Sequence, residues 1–489
     1  MSDTLEEDLE PTRLSRRERR AAAPLAYRRR NAELLLIVMV AAITAVAYTV
    51  ASLGSNAEIP PGIFVFVAFL LGLLLVAHLA VRMFAMGADA TLLPLAALLH
   101  GIGFVMITRL DDTLAGLQSL WSLIAVGTFV AVLVIVQRAT DLARFRWTFF
   151  AAGAVGLLLP MVPGLGSNIN GARIWVSVGP INFQPGEFAK IALAIFFAAY
   201  FADNRELIAA KTWKVGPLRL PEPRFILPVL VAWGFAVVVM VGQRDLGSSL
   251  LFFTLFVVMI WVSTERVGWL LLGVVMFAGA AYFSWTQFTH VQTRVDIWID
   301  PWSDSLDRGY QIVQSLFGLA DGGITGTGLG RGNPNQVPEA QNDFIFASIG
   351  EELGLVGGTA ILMSYLLIVG AGLRTALRTD REFEKLLAVG LTTIIGIQAF
   401  IIIGGVIKLV PLTGITLPFV SYGGSSLVSN YILLALLIRV SDSAARRLGE
   451  VPDEPTPGER WSAWRLRREI RRDQKRAGRR SSDHDGMVV

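Results

Sequence analysis

The sequence predicts an all-α polytopic membrane protein of about 12 transmembrane helices, and three observations predict it. First, 53% of its 489 residues are hydrophobic and 17% are charged, where a soluble domain carries about 25% charge. Second, the apolar residues gather in runs of about 20, the length at which a helix crosses the hydrocarbon core. Runs of that length are too long for the strands of a barrel. Third, Lys and Arg concentrate in alternate loops. The chain has no cysteine, which excludes disulfides, thiolate metal sites and cysteine nucleophiles.

Residues 1–33 are polar and Arg-rich, lack a cleavable signal pattern and are expected to be disordered. Spans are expected at 34–53, 62–82, 91–107, 117–137, 145–162, 188–202, 225–242, 246–263, 267–286, 344–373, 386–407 and 423–440. The sixth is short, and only Gln243-Arg244-Asp245 separates the seventh from the eighth. The N-terminal arginines, Arg138/Arg144/Arg146, the 205–224 loop, Arg266, the 374–385 loop and Arg446/Arg447 all fall on one side. The positive-inside rule therefore puts both termini in the cytoplasm and the long loops 163–187 and 287–343 outside. The membrane domain is 34–440, followed by a basic tail, 441–489. Within the tail, Trp461 to Arg480 is dense in Lys and Arg; it either rests on anionic lipid or simply fixes topology. No nucleic-acid partner is expected.

Acidic residues at the edge of an apolar span are costly, which singles out Val337 to Gly354. Glu339 and Asp343 stand at its mouth; Glu351 and Glu352 lie deeper and read as structural or helix-pairing residues. Four other stretches share the outer face. Asn168 to Lys190 holds Arg173, able to grip phosphate, and glycines and prolines (Gly171, Gly179, Pro180, Pro185, Gly186) suggesting a tight re-entrant-like turn. Gln184, Glu187 and Lys190 follow it into the next span, the last two spaced to pair on one helix face. Asp245 is too short to snorkel to water. In the large loop, the stretch from Arg294 to Trp302 is amphipathic, and the glycine-rich 322–332 lacks the pattern of a nucleotide site. Its glycines let backbone approach a headgroup or turn tightly. From Lys408 to Ser425 and Ser426, prolines, glycines and hydroxyls suggest irregular backbone lining a cavity. His78 and His100 are lone span residues, read as packed or helix-bridging. No His/Asp/Glu spacing makes a metal cage. One carboxylate, Asp343, near Arg173 and Lys408 fits chemistry on an anionic lipid headgroup, with the carboxylate as base and the cations on phosphate.

The segments N-G-A-R-I-W, F-Q-P-G-E-F-A-K, Q-R-D-L-G, G-Y-Q-I-V-Q-S, P-E-A-Q-N-D-F-I-F-A-S-I-G-E-E-L-G-L-V-G and P-L-T-G-I-T-L-P-F-V-S-Y-G-G-S-S occur in this order across about residues 117–440. In this combination the chain resembles the SEDS family (shape, elongation, division and sporulation). The opening R-R-N-A-E-L-L-L and two spans before a ten-helix core are similar to its actinobacterial RodA-type branch. The resemblance implies a peptidoglycan glycosyltransferase that polymerises lipid II and releases undecaprenyl diphosphate. It implies that Asp343 deprotonates the acceptor 4-hydroxyl for an inverting attack, and that Arg173, Gln184, Glu187, Lys190 and Asp245 line the central cavity. It also implies a class B penicillin-binding protein as transpeptidase partner, docked on the tenth and eleventh spans. Whether Mg2+ or Mn2+ assists the diphosphate stays open. Gln341-Asn342 stand where the family usually has His-Thr, Ile174 replaces an arginine, Arg244 a proline and Gly186 a serine. The competing readings are a lipid II flippase or transporter, and a non-catalytic scaffold; a transporter calls for buried acids in several spans.

Overall fold

The computed structural model describes residues 16–60, 62–169, 172–178, 181–210, 212–215, 218–221 and 223–451. Each expected span coincides with a helix. The first five are α1 (Arg16–Asn56), α2 (Ile63–Phe84), α3 (Leu92–Leu110), α4 (Leu114–Ile135) and α5 (Arg146–Leu158). Then follow α6 (Gly186–Ala210), α7 (Pro223–Gly242), α8 (Leu246–Thr264) and α9 (Gly268–Gln287). The loop expected at 287–343 contains two shorter helices, α10 (Thr289–Ile299) and α11 (Tyr310–Gly322). The last spans are α12 (Ile345–Leu377), α13 (Glu382–Val406) and α14 (Gly424–Arg447). Among the described residues, ten helices are long and apolar enough to cross a membrane, α5 counting with its flanking 3-10 turns. The helices α6 and α7 are not among them: Asp203, Arg205 and Glu206 interrupt the first, and of the second the apolar stretch counted among the described residues is Leu227–Val239.

Three expectations are corrected. The Arg-rich N-terminus is not disordered from Arg16 onward, because α1 begins there. Its Ala, Arg and Glu residues favour helix, and its buried turn is anchored. Arg30 pairs with Glu33 and donates to the Ala88 carbonyl, and His78 Nδ1 lies 2.7 Å from Glu33 Oε1. Residues 1–15 and the basic stretch Trp461 to Arg480 lie outside the described residues. The 168–187 stretch is not a re-entrant turn but a three-stranded antiparallel sheet, β1 (Gly166–Ile169), β2 (Ala172–Val178) and β3 (Ile181–Phe183), with β2 in the middle. The β-branched and aromatic run Ile174-Trp175-Val176 suits a strand; Gly171, Gly179 and Pro180 lie outside the described residues. A second hairpin, β4 (Thr212–Val215) with β5 (Leu218–Pro221), joins α6 to α7. Lastly, α14 runs past the expected tail boundary to Arg447.

Burial identifies the centre of the bundle. The apolar stretch of α14 is 89% buried and that of α9 only 6%, so α14 is central and α9 lies at the rim, open to lipid. α14 packs on α4, and α13 lies between α12 and α6. His100 bridges helices as expected, with Nδ1 2.8 Å from Tyr431 Oη and Nε2 3.0 Å from Ser122 Oγ. Gly103 of α3 lets the 408–423 segment approach closely: a Cβ there would lie 2.4 Å from the Val420 carbonyl oxygen. Backbone cannot yield as a side chain does, so Gly103→Ala should cost about 1–3 kcal/mol. The check is thermal unfolding in detergent; an unchanged melting temperature would contradict this packing.

Candidate active site

The turn from Val337 to Phe344 delivers Asp343 to the head of α12. Val337, Ala340 and Phe344 are buried and root the turn in the core. Glu339 adopts a left-handed φ of 55°. Its carboxylate accepts from Asn342 Nδ2 at 2.6 Å and Gln341 Nε2 at 3.5 Å, while the Asn342 N–H donates to its carbonyl at 2.9 Å. The Gln-Asn pair that departs from the family pattern therefore closes the turn. Ser421 Oγ donates to the Asn342 carbonyl at 2.6 Å and the Tyr422 N–H to that of Gln341 at 2.9 Å, tying the turn to the 408–423 segment.

Asp343 is left half-buried, and no described residue hydrogen-bonds its carboxylate. It faces Arg294 of α10 across Gly414, whose φ is +77°; a Cβ on that glycine would lie 3.6 Å from both Asp343 Oδ2 and Arg294 Nη2. Arg294 Nη1 donates to the Leu412 carbonyl at 2.7 Å. Burial pushes the Asp343 carboxyl up to about 6; Arg294 pulls it down and Glu339 adds to the rise. Arg294 is the residue that sequence reasoning missed. Its signal was the amphipathic pattern of α10, read only as a loop feature.

The other expected site residues divide into three groups. Gln184, Glu187, Lys190 and Ser425 share a buried polar network. Lys190 Nζ donates to Glu187 Oε2 at 2.5 Å and to Gln398 Oε1 at 2.9 Å. Ser429 Oγ donates to the same Glu187 oxygen at 2.9 Å, and the Gln184 N–H to Ser425 Oγ at 3.0 Å. Gln398 Nε2 reaches the Thr416 carbonyl at 2.8 Å, linking the network to the 408–423 segment. Asp245 is buried and caps α8, accepting from the Ser248 N–H at 2.9 Å. Burial raises its carboxyl, against the Ser248 hydrogen bonds; Glu187 adds to the rise and Arg294 opposes it. Arg294 therefore acts electrostatically on both Asp343 and Asp245.

Arg173 and Lys408 are placed differently from expectation. Arg173 is exposed on β2, and among the described residues its backbone N–H is engaged by the Gln243 carbonyl at 3.2 Å. Lys408 Nζ donates to the Ile299 carbonyl at 3.1 Å while its own carbonyl accepts from Trp298 Nε1 at 3.1 Å, so it clamps the end of α10.

Glu351 and Glu352 hold the glycine-rich loop. Glu352 Oε2 accepts from the Gly330 N–H at 3.0 Å and Glu351 Oε1 from the Asn333 N–H at 2.5 Å. Arg109 of α3 pairs with Glu352 at 3.3 Å and donates to the Gly332 carbonyl at 3.1 Å. The loop packs where α12 breaks at Gly354 (φ 65°, ψ −166°). A Cβ on Gly326 would lie 2.2 Å from the Glu352 carbonyl oxygen, so the glycines serve close approach within the chain. Among the described residues, no three His, Asp or Glu side chains converge as a metal site.

A bundle of many apolar helices with an acid beside a guanidinium at one end defines a multi-pass membrane protein with a polar site. Over residues 89–446 the chain matches the FtsW/RodA/SpoVE family of cell cycle proteins, and it belongs to that family. It is 45% identical to the peptidoglycan glycosyltransferase RodA of Mycobacterium tuberculosis over 448 residues, covering 89% of this chain and 96% of that one. A structure described as a peptidoglycan synthase complex coordinating polymerization and crosslinking contains a chain with TM-score 0.62 and 27% identity, covering 73% of this chain and 98% of that one. The rod shape determining protein RodA of Thermus thermophilus has TM-score 0.50 at 25% identity, covering 72% and 96%. Both α1 and α2 precede the family match.

A group whose folded-state pKa is raised binds its proton more tightly folded than unfolded, so the folded state loses relative stability as pH rises through about 6. Asp343→Asn removes that burden. Its melting temperature should match the parent near pH 4 and exceed it at pH 8. A melting temperature below the parent at pH 8 would show that Asp343 stabilises the fold as an anion.

Proposed function

We propose that Asp343 is the general base of lipid II polymerisation at the outer face of the cytoplasmic membrane. The chain is a peptidoglycan glycosyltransferase by its family and by relatives of that name covering most of its length. The reading of the base rests on one observation above the others. Among the described residues, Asp343 alone combines a raised carboxyl, a facing guanidinium and no hydrogen bond. A base near pH 7 needs that combination: ionised enough to act, basic enough to take a proton.

In the reaction, Asp343 takes the proton of the acceptor sugar 4-hydroxyl. The oxygen attacks the donor anomeric carbon, the bond from that carbon to the diphosphate breaks, and undecaprenyl diphosphate departs with the electron pair, inverting the centre. Arg173, exposed and without a side-chain partner among the described residues, and Lys408, whose ammonium retains donors beyond the Ile299 carbonyl, hold the diphosphate. Gln184, Glu187, Lys190, Asp245 and Ser425 form the polar floor beneath it, and Arg294 keeps Asp343 ionisable. Basic residues gather at the end opposite Asp343, which supports cytoplasmic termini and an extracytoplasmic site in the inner membrane. The basic tail would lie on anionic lipid of the inner leaflet. A class B penicillin-binding protein would supply crosslinking; exposed Leu362, Leu366 and Leu367 of α12 and Phe400 of α13 offer it an apolar face.

Purified protein with its transpeptidase partner and labelled lipid II tests the base. Asp343→Asn should lower the rate by about 10²–10⁴-fold; glycan chains formed at the parent rate would refute the assignment. For the parent, kcat/KM should climb with pH through a limb near 6, where Asp343 ionises. A flat profile from pH 5 to 8 would place the base elsewhere.

A further inference from the structure

At the end of the bundle opposite Asp343, a cavity of about 230 Å³ is lined by Arg29, Arg374, Arg378, Asp89, Thr375 and Ser441, among others. That volume is several times the roughly 30 Å³ share of one water in the liquid. Three guanidinium groups face it against a single lining carboxylate. Arg374 reaches that carboxylate, on Asp89, only at 3.6 Å. Asp89 Oδ1 is already engaged by the Thr91 N–H at 3.0 Å and by Thr91 Oγ1 at 2.7 Å.

A second observation shows that an anion belongs here. Glu450, just past α14, places its carboxylate 2.7 Å from Arg29 Nη1 and 3.5 Å from Arg378 Nη1. One carboxylate bridges two arginines from helices far apart in sequence, as a phosphate does. Val451 packs beside it against Ala26 and Ala445, so the start of α1 and the end of α14 close over the cavity together. Arg29 and Glu450 both lie outside the family match, which runs from 89 to 446, while Asp89, Arg374, Arg378 and Ser441 lie within it.

The position favours a lipid. Arg374 and Arg378 sit at the end of α12, where a spanning helix leaves the hydrocarbon. Leu377 between them is 84% exposed and Leu373 44% exposed, an apolar surface beside a basic one. Long basic side chains at such a level meet headgroup phosphates while acyl chains cover the apolar stem.

We propose that this cavity binds the phosphate of an anionic phospholipid headgroup from the adjoining leaflet, in competition with the Glu450 carboxylate. The arginines make the charge contacts, and the Ser441 hydroxyl, whose oxygen accepts from the Asp89 N–H at 3.0 Å, is the neutral donor. The lipid displaces Glu450 and so loosens the clasp between α1 and the chain leaving α14.

The test is native mass spectrometry of the delipidated full-length protein titrated with phosphatidylglycerol, phosphatidylcholine or inorganic phosphate. One phosphatidylglycerol should bind more tightly than phosphatidylcholine. Arg374→Gln with Arg378→Gln should weaken it, by roughly fivefold for each arginine. Glu450→Gln should tighten binding, a gain that a damaged fold does not produce. Excess inorganic phosphate should leave the lipid in place. Equal retention of phosphatidylglycerol by the parent and the double arginine variant would overturn the proposal, as would weaker binding in Glu450→Gln. Displacement by inorganic phosphate would assign the cavity to a free anion instead of a lipid.

Discussion

The placement of the Asp343 carboxylate beside the Arg294 guanidinium is the constraint on which this end of the protein depends. Bringing a carboxylate into the protein without hydrogen-bond donors raises its pKa; a cation at the same place lowers it. The balance leaves Asp343 at about 6, the range in which a carboxyl can act as a base. Three separate elements create that balance. The Glu339–Asn342 turn aims Asp343, α10 supplies Arg294, and the 408–423 segment passes between them with Gly414 at the closest point. The clamp of Lys408 and Trp298 on each other's segments, with Arg294 on Leu412, fixes α10 against that segment.

Support for this arrangement extends to the opposite edge of α12. Its first turns cannot run straight into the rest of the helix, because Gly354 breaks it. The glycine-rich loop fills the break, and Glu351, Glu352 and Arg109 hold that loop. The loop in turn touches α1: a Cβ on Gly54 would lie 2.1 Å from the Leu329 carbonyl oxygen, and one on Gly330 the same distance from that of Ala51. An N-terminal helix outside the family match thus abuts the loop that braces the head of α12.

Much of this was legible in the sequence because a membrane is a demanding solvent. Every expected span became a helix, since runs of apolar residues have few other solutions in lipid. Asp343 stood out because an acid at a span mouth needs a reason. The Glu187–Lys190 pair followed from helical spacing. What could not be read were contacts between distant segments. Arg294 looks like one more loop arginine until α10 folds against Leu412. The second engagement of Lys408, with the carbonyl of Ile299 109 positions away, is likewise invisible in one dimension. The sheet at 166–183 was hidden by its prolines and glycines, which signalled turns more strongly than Ile174 to Val176 signalled a strand.

The most direct measurement of the Asp343–Arg294 coupling is the pH dependence of lipid II polymerisation by Arg294→Met beside the parent. Removing the guanidinium takes away the influence that holds the Asp343 carboxyl down, so the acid limb of kcat/KM should move to higher pH than the parent's. A limb that stays in place, with the rate reduced equally at every pH, would contradict the coupling and make Arg294 a purely structural residue.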